Sequence, residues 1–258
     1  MRIDDTTVAF VTGAAGGIGA AIAERLRTEG ASVVTSDLGP DGVDVALDVT
    51  DRAAVRAAIA GVVTDHGHLD LAVACAGIGV AGLASEIADA DWDRSIAVNL
   101  TGTVNTIRAA YEVMLPRGRG QLVAIASLSG LLPTPLLVPY ATTKGGVVSL
   151  MTSLRPEAAR NGIGVSVVCP GPVDTNLLEG TGPAGASATV NVRRYLTSAA
   201  GPAVAPGTVA DALVTGVRRN RAVITPKRAR LLHVAARCSP AVTERALTYF
   251  MRRELAAG

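Results

Sequence analysis

Six short segments of this chain are almost entirely apolar, and helical patterns separate them. Strands that are apolar on both faces belong to parallel sheets whose two sides are covered by helices. The alternation therefore predicts an α/β fold, a Rossmann-type doubly wound parallel sheet with helices on both faces. The predicted strands lie at residues 7–12, 32–37, 43–47, 69–74, 121–126 and 164–169, and the predicted helices at 20–30, 51–65, 91–115 and 139–160.

The chain has 258 residues, of which 49% are hydrophobic and 18% charged, enough for one large domain. We interpret residues 1–258 as a single Rossmann-fold domain. Residues 176–206, rich in small residues and proline, are predicted to form a mobile loop or lid over the substrate. Residues 226–258 are predicted to form a basic helical C-terminal extension of two short helices, with Ser239 and Pro240 opening the second.

Composition and spacing argue against several other classes of protein. The cysteines Cys75, Cys169 and Cys238 form no Cys-x-x-Cys pair, so we expect a reducing cytoplasm rather than a disulfide framework or a zinc site. His66 and His68 have no matching third ligand, which predicts no metal. A net charge of +2 and 3% aromatic residues predict no nucleic-acid partner. Without a bilayer-spanning apolar run or a signal-peptide pattern, we expect a soluble cytoplasmic protein.

A glycine-rich segment, T-G-A-A-G-G-I-G, follows the first predicted strand and leads into a helix. Its glycines allow a tight turn and let backbone N–H groups and the helix N-terminus approach a pyrophosphate. The spacing is not that of G-x-G-x-x-G; it resembles the T-G-x-x-x-G-x-G signature of the short-chain dehydrogenase/reductase (SDR) family. The strand–turn–helix context favours dinucleotide binding over a plain turn. The predicted cofactor contacts here are Thr12, Gly13, Gly17, Ile18 and Gly19.

Asp37 ends the second predicted strand, 18 residues beyond Gly19. A carboxylate at this place accepts hydrogen bonds from the ribose hydroxyls of adenosine and repels a 2′-phosphate. No arginine or lysine lies in the glycine loop or just after Asp37. We therefore predict NAD(H) rather than NADP(H). The alternative is that Asp37 only forms a turn before G-P-D-G.

Tyr140 and Lys144 lie four residues apart in V-P-Y-A-T-T-K-G-G, and Lys144 is one of only two lysines in the chain. Residues at this spacing share one face of a helix. A tyrosine titrates near pH 10, and lowering its pKa by about three units needs roughly 4 kcal/mol. One ammonium about 4 Å away supplies that much at an effective dielectric near 20. We expect Lys144 to lower the Tyr140 pKa towards neutrality, with oxidised nicotinamide adding further positive charge.

This pair matches the Y-x-x-x-K signature of the SDR family, which the chain resembles from about Val8 to Thr175. Ser127, thirteen residues before Tyr140, and Asn99 in A-V-N-L-T-G match its catalytic serine and asparagine. The resemblance implies that Tyr140 is the general acid/base and that Lys144 also binds the nicotinamide ribose. It implies that Ser127 binds the substrate oxygen and that Asn99 supports a proton-relay water.

The same resemblance implies further cofactor contacts. Asp48 and Val49 match adenine contacts, and Ala76 and Gly77 match backbone neighbours of the adenosine. Within P-G-P-V-D-T, the implied nicotinamide contacts are Pro170, Gly171, Val173 and Thr175. One departure is A-C-A-G at residues 74–77 instead of the family's N-N-A-G, where we interpret Cys75 as a small packing residue.

No charged residue occurs between Ser127 and Thr143, and the predicted lid is also poor in charge. These segments predict a largely apolar pocket for a hydrophobic secondary alcohol or its ketone. Its predicted wall comprises Ser127, Ser129, Leu131, Leu132, Tyr140 and Leu177. The alternative is that the leucines pack in the core or against another subunit.

The C-terminal region departs from the family pattern, because residues 226–258 contain seven cations, two acids and an apolar stripe. We expect this region to cap the core or pack on a neighbouring subunit, in preference to lying on a membrane surface. The SDR resemblance implies a homodimer or homotetramer. Two rival functions stay open: an NADP(H)-dependent ketoreductase such as a 3-oxoacyl-carrier-protein reductase, and a dinucleotide-sensing or scaffold protein without turnover.

Overall fold

A computed structural model describes residues 1–179 and 190–256. Its sheet has seven strands in the order β3-β2-β1-β4-β5-β6-β7, and every neighbouring pair is parallel. The Rossmann-type fold predicted from the alternation of strands and helices is confirmed. The strands are β1 (Val8–Thr12), β2 (Ser32–Asp37), β3 (Val45–Ala46), β4 (Leu71–Ala74), β5 (Gly120–Ile125), β6 (Ile163–Val168) and β7 (Val223–Ile224).

The strand order reverses at β1, and this reversal positions the candidate site. Val8 pairs with Ser32 of β2 on one side of β1, and Ala9 pairs with Leu71 of β4 on the other. Connections that diverge at such a point leave a crevice beyond the carboxyl ends of the strands. The two-residue strand β7 was not predicted, because its apolar run is too short to give a strand signal.

Helices cover both faces of the sheet. They are α1 (Gly17–Thr28), α2 (Arg52–His66), α3 (Asp89–Ser95), α4 (Thr103–Met114), α5 (Val138–Ala159), α6 (Asn176–Glu179), α7 (Val192–Ala200), α8 (Pro206–Arg218), α9 (Lys227–Cys238) and α10 (Pro240–Leu255). Buried side chains of α2, α4 and α5 form one apolar cluster with Phe10 and Leu122. Those of α1 and α8 form a second cluster with Leu71 and Val123. The two clusters contain alternate residues of the same strands, as the period of two requires.

A π-helical segment, Ile96–Gly102, separates α3 from α4, where the sequence predicted one helix over 91–115. Asn99 lies in the middle of this segment, and its carbonyl accepts a hydrogen bond from the Thr103 hydroxyl at 2.7 Å. A π-helical turn contains more residues than an α-helical turn, and the spacing of apolar residues in the sequence does not reveal this difference. Single π turns inside helices frequently mark functional positions.

The described part of the predicted 176–206 loop contains two helices, α6 and α7, and residues 180–189 lie outside the described residues. The prediction of a structureless loop is therefore wrong for α7. The Asn191 side chain caps this helix by accepting a hydrogen bond from the backbone N–H of Arg194 at 2.8 Å.

The two helices predicted for the C-terminal extension are present as α9 and α10. Helix α10 packs on α7 through Glu254, whose side chain is buried. The Glu254 carboxylate accepts two hydrogen bonds from the Arg194 guanidinium, both 2.7 Å, and one from the Asn191 N–H at 2.9 Å. Among the described helices, none is both long and apolar enough to cross a membrane.

Replacement of Glu254 by alanine is expected to loosen α10 from α7. It removes three hydrogen bonds and leaves the Arg194 guanidinium unpaired, a loss of about 2 kcal/mol. Hydrogen exchange should accelerate across α10 and α7, with little change in β1 and β4. The matched control is Glu244→Ala, which removes an exposed carboxylate from the same helix. Equal exchange rates in the two variants would contradict this assignment.

Candidate active site

A cavity of about 730 Å³ opens at the carboxyl ends of the central strands. It brings together most of the residues predicted from the sequence, and their roles remain predictions. On the cofactor side it is lined by Gly13, Gly17, Ile18, Gly19, Asp37, Asp48, Val49, Ala76, Gly77, Pro170, Gly171, Val173 and Thr175. On the substrate side it is lined by Ser127, Ser129, Leu132, Tyr140, Lys144 and Leu177.

The turn between β1 and α1 leaves no room for a side chain at two of its glycines. Gly13 has a φ of +68°, and a Cβ there would lie 2.6 Å from the Ala76 backbone. A Cβ on Gly19 would lie 2.0 Å from the Gly13 carbonyl oxygen. The Thr12 hydroxyl joins the ends of β1 and β4 by accepting hydrogen bonds from the N–H groups of Cys75 (3.1 Å) and Ala76 (3.2 Å).

This bare backbone meets the first turn of α1 at the cavity wall. A helix N-terminus beside a glycine turn is an anion site, because unpaired N–H groups and the helix dipole both favour negative charge. The cradle that a Cβ would fill, together with this helix end, therefore fits the pyrophosphate of a dinucleotide.

Asp37 is fixed at the rim of the cavity by two backbone donors. Its carboxylate accepts hydrogen bonds from the N–H groups of Ala15 at 3.0 Å and Leu38 at 2.7 Å. Asp48 forms a local turn, accepting from the N–H and the hydroxyl of Thr50, both at 2.8 Å. Among the described residues that line the cavity, Lys144 is the only lysine or arginine. The described wall thus has carboxylates, and no cation, near Asp37.

Ser127, Tyr140 and Lys144 converge on one wall of the cavity. Tyr140 and Lys144 lie one turn apart on α5 and are 8% and 4% exposed. The Lys144 ammonium lies 5.6 Å from the centre of the Tyr140 ring and donates a hydrogen bond to the Ile125 carbonyl at 2.9 Å. Ser127 follows β5, and its hydroxyl accepts a hydrogen bond from the Ser129 N–H at 3.1 Å.

Burial sets the proton affinities of this pair. It raises the pKa of Tyr140 to about 12, although a hydrogen bond with Ser127 acts in the opposite direction. Burial also lowers the pKa of Lys144 to about 8. The prediction that Lys144, together with the charge of oxidised nicotinamide, lowers the Tyr140 pKa towards neutrality stays a prediction, because these values describe the protein alone. Spacing along a helix does not report desolvation, which is here the largest influence on the Tyr140 pKa, and the ammonium of Lys144 is directed at a carbonyl oxygen.

Asn99 lies behind the cavity and is fully buried. Its carboxamide oxygen accepts a hydrogen bond from the Ile78 N–H at 2.8 Å, and its amide donates to the Ile78 carbonyl (3.0 Å) and the Thr143 hydroxyl (3.2 Å). A Cβ on Gly77 would lie 3.2 Å from this carboxamide oxygen and 3.3 Å from the Lys144 ammonium. Asn99 thus braces the backbone after β4, beside Lys144.

The substrate side differs in part from the prediction. Leu131 does not line the cavity; it packs against the core cluster that includes α5, so its assignment to the pocket wall is wrong. It follows the short turn Leu128–Gly130, which directs it inward. Sequence reasoning missed the wall residues contributed by the C-terminal third of the chain, which include Tyr195, Leu196, Leu232, Leu247 and Phe250.

Tyr195 differs from the other residues that were missed, because its buried hydroxyl has no hydrogen-bond partner among the residues that the structure describes. The side chain is 1% exposed, and burial raises its pKa to about 12. In a sequence, a tyrosine on an apolar helix face is interpreted as a packing residue. The sequence alone therefore did not indicate that Tyr195 lines the cavity. Leu247 and Phe250 did carry a signal, since both belong to the apolar stripe of the C-terminal extension.

Cys75 occupies the wall where the related sequence pattern has an asparagine. Burial raises the pKa of its thiol to about 12, so the thiol stays protonated at neutral pH. The described residues contain no group of three or more potential metal ligands.

Comparison with known proteins decides the family. The family model described as short chain dehydrogenase matches residues 7–184. The chain belongs to the short-chain dehydrogenase/reductase family. SDR proteins are oxidoreductases that use nicotinamide dinucleotides, in agreement with the cradle and the anion site described above.

Two SDR relatives have named activities. The chain is 36% identical over 188 residues to D-threitol dehydrogenase of Mycolicibacterium smegmatis, a match covering 67% of this chain and 72% of that protein. It is 38% identical over 182 residues to acetoacetyl-CoA reductase of Synechocystis, covering 69% and 75%. The crystal structure of gox2181 is 27% identical with a TM-score of 0.75, covering 87% of this chain and 98% of that chain.

The buried ammonium of Lys144 predicts a pH-dependent stability. The unfolded chain holds this proton up to its ordinary pKa of 10.5, whereas the folded protein releases it near pH 8. The cost of burying the Lys144 ammonium is therefore largest below pH 8. It decreases as the pH rises from about 8 towards 10.5, because the folded protein has already released this proton. Between pH 7.5 and 9.5 the free energy of unfolding of the wild type should rise by about 2 kcal/mol relative to Lys144→Met. Urea unfolding measures this, and a constant difference would contradict it.

Proposed function

We propose that this SDR protein interconverts a hydrophobic secondary alcohol and its ketone with NAD(H). The observation that carries the proposal is the convergence of Ser127, Tyr140 and Lys144 in the same cavity as the glycine cradle. A proton-transfer group and a dinucleotide site that share one cavity can act on one substrate carbon. When bound, the nicotinamide supplies hydride transfer.

Each residue in the cluster has a distinct role. Tyr140 exchanges a proton with the substrate oxygen as general acid/base. Ser127 donates a hydrogen bond to the same oxygen and stabilises its developing charge. Lys144 binds the nicotinamide ribose and provides the positive charge that makes the Tyr140 phenolate accessible. Asn99 positions Lys144 by bracing the backbone at Ile78, next to Gly77, and supports a relay water beside the ammonium.

The high pKa of Tyr140 in the protein alone is compatible with this role. The residue starts as the neutral acid that ketone reduction requires. For alcohol oxidation, the cationic oxidised nicotinamide adds a positive charge that lowers its pKa. We therefore infer that Tyr140 becomes a usable base only in the presence of bound NAD⁺.

The NAD(H) preference is supported by the charges at the cavity rim. Asp37 presents a carboxylate that two backbone donors hold in place, and it offers acceptors to the ribose hydroxyls. A 2′-phosphate would meet this negative charge, and the described wall has no arginine to pair with it. We assign Thr12, Gly13, Gly17, Ile18 and Gly19 to the pyrophosphate side, with the remaining cofactor residues as the sequence pattern implies.

A hydrophobic substrate is supported by the walls beyond the catalytic cluster. They comprise Leu132, Leu177, Leu196, Leu232, Leu247 and Phe250. The polar residues among them are Ser129, Thr134, Asn176, Thr243 and Tyr195, whose hydroxyl has no partner in the described part of the chain. Because a buried hydroxyl without a partner is costly, Tyr195 favours a substrate with a second oxygen. We interpret α6 and α7, in the described part of the predicted lid, as a cover over this space. We expect a cytoplasmic homodimer or homotetramer.

Two other functions are weighed against this one. The relative named acetoacetyl-CoA reductase favours a ketoreductase, and an NADP(H)-dependent enzyme acting on a thioester is the first alternative. The second is a dinucleotide-sensing or scaffold protein, which the assembled catalytic cluster disfavours. Turnover of D-threitol or acetoacetyl-CoA, with no activity on hydrophobic alcohols, would refute the proposed substrate class.

Replacement of Tyr140 by phenylalanine should abolish turnover while sparing cofactor binding. General acid/base groups contribute about 10²- to 10⁴-fold to kcat, so we expect a loss in this range. A panel of hydrophobic secondary alcohols, followed by NADH absorbance, measures the rate, and NADH fluorescence measures binding. The control is Tyr111→Phe, whose hydroxyl contacts Asn161 outside the cavity. An unchanged kcat would refute the assignment, and NADH binding without any wild-type turnover would favour the sensor.

Replacement of Asp37 by serine should weaken NAD(H) relative to NADP(H). Loss of the carboxylate removes a charge-assisted hydrogen bond to ribose and a repulsion of phosphate, which together shift the ratio of the two dissociation constants on the order of tenfold or more. Titration with NADH and NADPH gives this ratio directly. Asp41→Ser, an exposed aspartate in the same connection, is the control. An unchanged ratio in Asp37→Ser would sink the cofactor assignment.

A further inference from the structure

The outward faces of α9 and α10 expose large apolar side chains. Five described large apolar residues are more than half exposed, and four of these belong to the two C-terminal helices. They are Leu231 (71%), Val234 (51%), Val242 (61%) and Tyr249 (60%). Leu231 and Val234 are three residues apart on α9 and therefore lie on one face of that helix. On α10, Val242 also lines the cavity, so Tyr249 is the large apolar residue of the outer face.

The exposure of these side chains does not result from poor packing, because both helices also have an inner face whose residues are buried or line the cavity. Ala229 of α9 is buried, and Leu232 and Ala236 on the same face line the cavity. On α10, Leu247 and Phe250 line the cavity and Glu254 is buried against α7. The orientation of the two helices is thus fixed, and the apolar outer face is a stable feature of the folded chain.

Arginines surround the exposed apolar residues. The outer faces contain Arg230, Arg237, Arg245, Arg252 and Arg253, all exposed. In the described part of the chain none of the five forms an ion pair, whereas Glu254 is already paired with Arg194. Glu244 is then the one remaining acid of the two helices. A face with five exposed arginines and one acid is electrostatically complementary to a negatively charged partner.

Self-association through this face is disfavoured by its charge. A twofold interface would place the same patch of each copy against the other, with five arginines opposing five. Like charges that face each other across an interface are destabilising. An anionic surface that also accepts scattered apolar side chains is a better match. Lipid headgroups supply phosphates for the guanidinium groups, and the acyl region accepts leucine, valine and tyrosine.

We propose that the outer faces of α9 and α10 form an interfacial membrane-binding surface specific for anionic lipids. The protein lies on the bilayer and does not span it. The inner faces of the same helices line the substrate cavity, so docking places the cavity next to the acyl region. Resting on the proposed function, this geometry selects substrates that partition into lipid.

Vesicle co-sedimentation of the full chain, without cofactor or substrate, tests the docking. The protein should bind vesicles of phosphatidylcholine with one quarter phosphatidylglycerol, and bind pure phosphatidylcholine vesicles far more weakly. Raising the salt from 50 to 500 mM should release it, since screening removes the electrostatic part of the attraction. Each arginine near an anionic surface contributes about fivefold. The triple variant Arg237→Gln, Arg245→Gln, Arg252→Gln should therefore weaken binding on the order of 100-fold.

The apolar contribution has its own variant. Leu231→Ser combined with Tyr249→Ser should weaken binding at least tenfold at constant charge. The matched control combines Leu115→Ser and Arg219→Gln, an exposed leucine and an exposed arginine outside α9 and α10, and should bind as the wild type does. An unchanged thermal unfolding midpoint shows that each variant is folded.

Three results would overturn the proposal. The first is equal binding of the wild type to neutral and anionic vesicles, or to neither. The second is binding that the α9 and α10 variants do not reduce. The third is a wild-type dimer that Leu231→Ser with Tyr249→Ser converts to a monomer in sedimentation velocity, which would assign the face to a second copy. Because no turnover is measured, an inactive protein that still binds anionic vesicles refutes the proposed function alone.

Discussion

A buried ammonium is the constraint on which the rest of this site depends. The Lys144 side chain is enclosed in a wall with few polar groups, and its hydrogen bond goes to a backbone carbonyl at the end of β5. Burial disfavours both the protonated form of Lys144 and the deprotonated form of Tyr140. In a structural ion pair, by contrast, each charge stabilises the other. Perturbed pKa values of this kind cluster at functional sites, and a ligand that brings hydrogen-bond acceptors to the Lys144 ammonium would offset the cost of its burial.

The surrounding fold supplies the rigidity that this arrangement requires. Three backbone segments meet beside the cavity: the glycine turn after β1, the segment through Gly77 after β4, and the π-helical turn that contains Asn99. The side chains of Thr12 and Asn99 connect them by hydrogen bonds to backbone groups. A side chain at Gly13 or Gly19 would collide with the neighbouring backbone. The wall that contains Lys144 and the glycine turn are therefore held together by backbone packing and these hydrogen bonds.

The sequence was informative wherever a feature is local. Apolar runs predicted the strands β1 to β6. The spacing of the glycines, Ser127, Tyr140 and Lys144 predicted that the cofactor site and the substrate site share one cavity. It was uninformative where the outcome depends on distant contacts. The enclosure that raises the Tyr140 pKa, the inward turn of Leu131, and the contribution of Tyr195 and Phe250 to the wall all depend on tertiary packing. The helix α7 was not predicted because the small residues that flank it give no helical pattern, although Asn191 is a residue type that commonly caps helices.

The ion pair between Glu254 and Arg194 has a consequence for the order of assembly. Chains are synthesised from the N-terminus, at about 5–20 residues per second. The strands through β6 and the residues Ser127, Tyr140 and Lys144 precede α10 by more than seventy residues, so they are synthesised several seconds before Glu254 is. During this interval Arg194 lacks its carboxylate partner, and the cavity lacks the side that Leu247 and Phe250 contribute. The enclosure of the cavity therefore depends on the synthesis of α10.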